Sequence, residues 1–331
     1  AGGSSFWAID DIEVVVPPQF SLSILEMRAL PAFGIPGDSA QLRVKVLNNG
    51  RRSVANMTLN VNGIPSLVNL STPLQAGASR WVTLPSWVNL SLVGTQTFCA
   101  TVALVNNRLD QIPVGDTACT EVLVQNPIPV SAAVPFCADF ESSSWGTFED
   151  VPGTEWVLGT PIQGSLTTAY NGTKAYSTNL GADYGMRARS YLVSPKFTLD
   201  TGTTYILSFA HNMQSEPAVD GGHVEYSFDD ITWYPLGYTH VPGSTNWCTE
   251  PSVVALNGQS GWSRSMTGYQ LSSLRLKPGE SGVRFRWTFA SSNAVSAPGW
   301  TVDQVCLEVD SSTAPVLNLL GQPPIYATGC P

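Results

Sequence analysis

The sequence predicts an all-β chain built as two successive β-sandwiches. Three observations lead there. Short runs of alternating apolar and polar residues recur along the chain. No stretch shows a helical period of useful length. Gly (29) and Pro (24), with many Asn, interrupt the runs at fairly regular intervals. In QLRVKVLNNG (41–50), Leu42, Val44 and Val46 alternate with polar neighbours, and the run stops at Asn48-Asn49-Gly50. NMTLNVNGIP (56–65) repeats the pattern with Met57, Leu59 and Val61. RWVTLPSW (80–87), TFCATVALV (97–105) and TACTEVLVQ (117–125) complete the strand set of a first sandwich.

NPIPVSAAVP (126–135) carries three prolines and no charge, which reads as a stiff linker. Beyond it, RSYLVSPKFTL (189–199), TYILSFAHNM (204–213), GHVEYSFDD (222–230) and GVRFRWTFAS (282–291) are strand candidates of a second, larger sandwich. Val224, Tyr226 and Phe228 share one face of their strand, as do Val283, Phe285, Trp287 and Phe289 of theirs. Residues 234–268 hold Gly, Pro, Cys248, Trp247 and Trp262 and read as an elaborated loop.

Composition bounds the partners. The 331 residues suffice for two cores. Charged residues make up 12%, about half the usual share, and the net charge is -9. An acidic surface repels phosphate backbones and anionic lipid, so nucleic acid is not an expected partner. No apolar run approaches the roughly 20 residues of a membrane helix, so no membrane insertion is expected. The opening AGGSSFWAID lacks a signal-peptide pattern and reads as a mature segment. Six cysteines without CxxC spacing point to disulfides and an oxidising compartment rather than zinc. Cys99 and Cys119 fall on consecutive strand candidates of the first sandwich and are expected to pair.

The opening FWAIDDIEVVV (6–16) looks like a closing strand with nothing before it. Its Trp7, Ile9, Asp10 and Ile12 align at one constant offset with Trp300, Val302, Asp303 and Val305 of GWTVDQVCLEV (299–309). We read this as a repeat. The domain plan is therefore 1–16, the closing strand of a preceding module; 17–125, the first sandwich; 126–135, the linker; 136–310, the second sandwich; and 311–331, a proline-spaced connector tail.

FCADFES (136–142), Trp145, Trp156, SPKFTL (194–199), YILSFAHNM (205–213), VEYSFDDITWYPLG (224–237) and GWTVDQVCLEV occur in the order seen in MAM-like jelly-roll modules. The second sandwich resembles that group, which includes the cleaved-adhesin domains of bacterial surface proteins. The first resembles CARDB-type immunoglobulin-like domains, chiefly through VKVLNNG. The resemblance implies an immunoglobulin-like β-sandwich followed by a jelly-roll β-sandwich, in an extracellular or cell-surface protein of the kind found among Bacteroidetes adhesins. It places Cys137 and Cys306 together on the first and last strands, which leaves Cys248 and Cys330 as a third pair. About fifteen pairings of six cysteines exist, so this set is one of them. The resemblance also brings Asp303 toward Asp139 and Glu141, which lie two apart, and so implies a Ca²⁺ site of three carboxylates.

No catalytic constellation is evident. There is no G-x-S-x-G, P-loop or dinucleotide motif, and His211, His223 and His240 lie in or beside strand patterns. Asp229-Asp230 reads as a turn. Trp233, Trp247 and Trp262, in and around the elaborated loop, are candidates for stacking on sugar rings, against the plainer reading as core residues. The expected function is a non-catalytic structural or adhesive segment of a large secreted or surface protein. The alternatives are a carbohydrate-binding module or the accessory region of a secreted hydrolase. The expected partners are neighbouring domains of the same protein, identical subunits and, for the second reading, surface glycans.

Overall fold

A computed structural model describes residues 18–113, 115–151 and 154–322 of the chain. Among these there is no α-helix, only strands and one 3₁₀ turn, Val254–Leu256. The chain divides into two compact units. One consists of Gly37–Leu90 and Thr95–Val122 with the strand Leu22–Leu30. The other runs from Leu123 onward and includes Pro31–Pro36 and Ser91–Gly94.

In the first unit, strands Leu22–Leu30, Ser39–Asn48 and Ser79–Asn89 form a three-stranded antiparallel sheet. A second sheet orders Thr117–Val124, Gly94–Val105, Val54–Val61 and Ile64–Leu74. The alternation read from sequence is what fills this sandwich. Leu42, Val44, Val46, Met57 and Leu59 are all fully buried, while Val61, at the end of its strand, is half-buried. Cys99 and Cys119 are bonded across neighbouring strands.

The second unit has two seven-stranded sheets. One centres on Gly282–Ala290, flanked by Arg189–Val193 and Gly221–Ser227. The other centres on Gly299–Val309, flanked by Tyr205–Gln214 on one side and by Ala175–Thr178 and Phe136–Ala138 on the other. The core takes Val224, Tyr226, Val283, Phe285, Trp287 and Phe289 from the first sheet and Tyr205, Leu207, Phe209, Trp300, Val302 and Val305 from the second. Cys137 stands directly opposite Cys306 in the strand register, and the two are bonded.

Three expectations are modified. The stretch 126–135 is not a free linker, because Ile128–Pro129 pairs in parallel with Phe197–Thr198 and Val130 is buried in the second core. The tail is likewise drawn in, since Leu317–Leu319 pairs in parallel with Leu276–Pro278. The proposed Cys248–Cys330 bridge is corrected: Cys248 carries a free thiol buried in the main core. A bridging partner would have to enter that core to come within about 7 Å. Cys330 and the opening strand 6–16 lie outside the described residues.

Candidate functional site

Strand pairing brings two members of the predicted metal set, Glu141 and Asp303, to one corner, where they clamp a loop. Phe136–Ala138 lies beside Gly299–Val309, with Ala138 opposite Val305. Asp303 accepts the backbone N–H groups of Tyr170 (2.9 Å) and Asn171 (3.0 Å) on one oxygen and that of Gln304 (2.7 Å) on the other. Glu141 accepts the N–H groups of Thr173 and Lys174, each at 2.7 Å, and the Thr173 hydroxyl. Gly172, with φ +70°, sits between these contacts, where any Cβ would collide with Glu141. The Lys174 ammonium donates to the Glu141 carbonyl at 3.1 Å. Asp139 accepts from Glu141 N–H.

Backbone donors thus hold the Glu141 carboxyl below its ordinary range. Burial first, and the nearby Glu141 charge, raise that of Asp303 against its own backbone donors. Among the described residues no three His, Cys, Asp or Glu side chains converge to hold a metal ion. The oxygens of Glu141 and Asp303 already accept protein donors, and the Lys174 ammonium stands beside Glu141, an arrangement that does not suit the expected Ca²⁺ set. Excess EDTA should leave the melting temperature of the second unit unchanged. A fall of several degrees would reveal an ion at this corner.

The aromatic trio separates. Trp247 and Trp262 are core residues, 3% and 0% exposed. Their indole N–H groups donate to the carbonyls of Leu236 (2.7 Å) and Asn246 (2.8 Å). Each anchors the loop to the sandwich beneath it rather than standing free at the surface. Trp233 is half-buried and packs over the Arg286 guanidinium at 4.3 Å, with Tyr191 also at 4.3 Å from it. Arg286 in turn pairs with Glu225 at 2.7 Å. That ring is occupied by a cation of the protein itself.

What the elaborated loop builds instead is a polar cavity of about 340 Å³, lined by His240, Val241, Ser244, Asn246, Trp247, Cys248, Thr249 and Arg264. Its backbone is tightly determined. His240, Asn246 and Cys248 all adopt positive φ (60°, 49° and 44°), uncommon for residues with a Cβ. Thr245 exchanges both backbone hydrogen bonds with Ser273, and Asn246 Nδ2 donates to Leu271. The Asn246 carbonyl accepts from Trp262 and also from Ser272 Oγ (2.8 Å). Behind Ser272 stands His211. Trp300 Nε1 donates to His211 Nδ1 at 3.1 Å, so the imidazole proton is on Nε2, directed at Ser272 Oγ 2.8 Å away. Burial pushes the Cys248 thiol well above its ordinary pKa, which makes it part of the wall rather than a nucleophile.

No family model and no curated protein matches this chain. Solved structures similar to parts of it include the K3 cleaved adhesin domain of Lys-gingipain from Porphyromonas gingivalis. That match is 17% identical, with TM-score 0.33, and covers 52% of this chain and 98% of that one. The CARDB domain of a Pyrococcus furiosus protein is 21% identical, with TM-score 0.25, covering 32% and 94%. A CBM22 xylan-binding domain from Paenibacillus barcinonensis is 8% identical, with TM-score 0.29, covering 54% and 95%. At these scores no functional argument passes from them to this chain.

Sequence reasoning singled out the loop by its tryptophans, whereas its cavity is lined mainly by polar residues. Aromatic residues drew attention to 234–268, but Arg264, His240, Asn246 and Thr249 line the cavity. No spacing signal joins them. Only the isolated positive-φ Asn and the Gly and Pro density of the segment mark it as a built loop. Asp229-Asp230 is a turn, as read: Asp229 accepts from Ile231, Thr232 and Ser227, while Asp230, at φ 62°, pairs with Arg284 and Lys196.

Proposed function

We propose that this chain is a non-catalytic adhesive or structural segment of a larger secreted or cell-surface protein. The supporting observation is the use made of its polar groups. Carboxylates and imidazoles that could serve chemistry instead fasten loops to strands: Glu141 and Asp303 hold 170–174, Asp229 holds 231–232, and His211 holds Trp300 and Ser272. Asp220, fully buried, accepts from the Tyr184 hydroxyl and from Ser292 N–H. Two cross-strand disulfides add covalent ties suited to an oxidising, extracellular setting. This is the economy of a module that must stay folded while it is pulled.

The opening segment extends the reading to a repeat unit. Trp300, Val302, Asp303 and Val305, which residues 6–12 match, are 0–1% exposed in the middle of a sheet with strands on both sides. A segment of that pattern needs an equivalent sandwich around it. The partner is a preceding jelly roll, more simply in the same polypeptide than in a neighbouring subunit, where main-chain strand donation would build a filament. Beads coated with the chain should be retained under flow on immobilised surface glycoproteins and should cleave neither glycan nor peptide. Beads coated with residues 17–331 should be retained equally and clump less. No retention above an albumin control, or turnover of the surface, would overturn the adhesive reading. Unfolding of the first unit on loss of 1–16 would overturn the repeat.

A further inference from the structure

We propose that the cavity in the 234–268 loop binds a carboxylated sugar residue, a uronate or a related acidic monosaccharide unit, with Arg264 as the carboxylate partner. Four observations carry this. First, the cavity is a half-open pocket whose walls are fastened to the sandwich beneath. Its rim at Asn246 is fastened by Trp262 and Ser272, and Trp247 is tied back to Leu236. At about 340 Å³ it falls at the lower end of the roughly 300–1,000 Å³ of small-ligand sites.

Second, it holds a guanidinium and an imidazole without partners. Arg264 and His240 make no side-chain hydrogen bond, ion pair or ring contact among the described residues. Arg264 is thus an unpaired guanidinium at a cavity wall, in a chain of net charge -9. Third, Thr249 Oγ1 on that wall is buried with no hydrogen-bond partner, a cost that a ligand hydroxyl would remove. Fourth, the remaining polar lining is neutral and rich in acceptors. Ser244 Oγ gives its proton to the Val241 carbonyl and keeps its lone pairs, and Asn246 spends Nδ2 on Leu271 and keeps Oδ1.

A single guanidinium fork suits one carboxylate. Ser, Asn and Thr oxygens at fixed positions suit several hydroxyls. Phosphate would call for more cations or a run of backbone N–H groups, and a polyanion would be repelled by the surface as a whole.

The test is calorimetric titration of the full chain with glucuronate, N-acetylneuraminate, methyl glucuronate ester, glucose and inorganic phosphate. Saturable binding of at least one acidic sugar is expected, with the ester and glucose weaker by about tenfold or more. Arg264→Gln, at an exposed position, should lose a similar factor with an unchanged melting temperature. Thr249→Val should also weaken binding while leaving melting equal or higher, because it deletes an unpaired buried hydroxyl. Lack of saturation with every acidic sugar would overturn the proposal. So would an ester that binds as well as the acid, phosphate binding more tightly than either sugar acid, or affinity unchanged in both variants. The outcome is separable from the adhesive reading, since titration in solution needs no retained bead and bead retention needs no sugar acid.

Discussion

Removing the Cys137–Cys306 bridge, in a Cys137→Ala/Cys306→Ala variant, is expected to destabilise the second unit by about 5 kcal/mol. The bridge closes a loop of sequence separation 169, joining strands that enter and leave the sandwich at its two ends. Without it, the unfolded chain regains the freedom of that whole length. The Cys99–Cys119 bridge closes a separation of only 20. The chain-entropy relation then gives about 3 kcal/mol in the first unit. Each unit has its own core, so the two double variants should shift different transitions in a urea titration. The larger loss corresponds to a fall of roughly 10 °C or more for a unit of this size. A midpoint for the Cys137/Cys306 variant within experimental error of the parent would refute the claim that this bridge closes the jelly roll.

Acidification should destabilise the second unit progressively from about pH 6.5 downward, and His211 is the reason. The imidazole is 0% exposed, and burial alone pushes it from 6.5 down to about 3. Between those values the unfolded chain takes up a proton that the folded chain refuses. The stability due to the neutral ring is fully present above 6.5 and is lost as pH falls toward 3, at about 1.4 kcal/mol per pH unit. The geometry explains the refusal: Nδ1 already accepts the Trp300 N–H, so a second proton there would point donor at donor. His223, also driven down first by burial, acts in the same direction. Asp303, raised by burial, acts in the opposite one.

The first unit should behave differently. Asp116 is raised to about 6, by burial and then by Asp110, and its two buried oxygens have no partner among the described residues. Its folded form takes a proton first, so that unit gains stability as pH falls through about 6. Urea midpoints at stepped pH should therefore diverge. His211→Gln, whose amide can accept from Trp300 and donate to Ser272, should flatten the slope of the second transition. An equal slope in the variant would remove His211 from the account.

The sequence by itself determined the strand content and the inward faces. Leu42, Val44 and Val46, and likewise Phe285, Trp287 and Phe289, are buried because side chains on a pleated strand alternate at period two wherever the strand is placed. Cys99 and Cys119 could be paired because they lie on consecutive strands, and Asp229-Asp230 could be read as a turn because the bonds of Asp229 stay within a few residues. The tertiary structure decided everything that depends on a distant partner. Whether Trp247 and Trp262 point out to a ligand or in to the core was settled by the carbonyls of Leu236 and Asn246, which their own flanking residues do not reveal. The prolines of 126–135 look like a linker until Phe197–Thr198 offers them an edge to pair with. Asp303 and Glu141 share a corner, as the family resemblance implied, but the N–H groups of 170–174 reach them. The cavity of His240, Thr249 and Arg264 has no sequence signature, because a sandwich loop takes its shape from where each turn is fastened to the sheets below, and those fastenings join residues far apart in the chain.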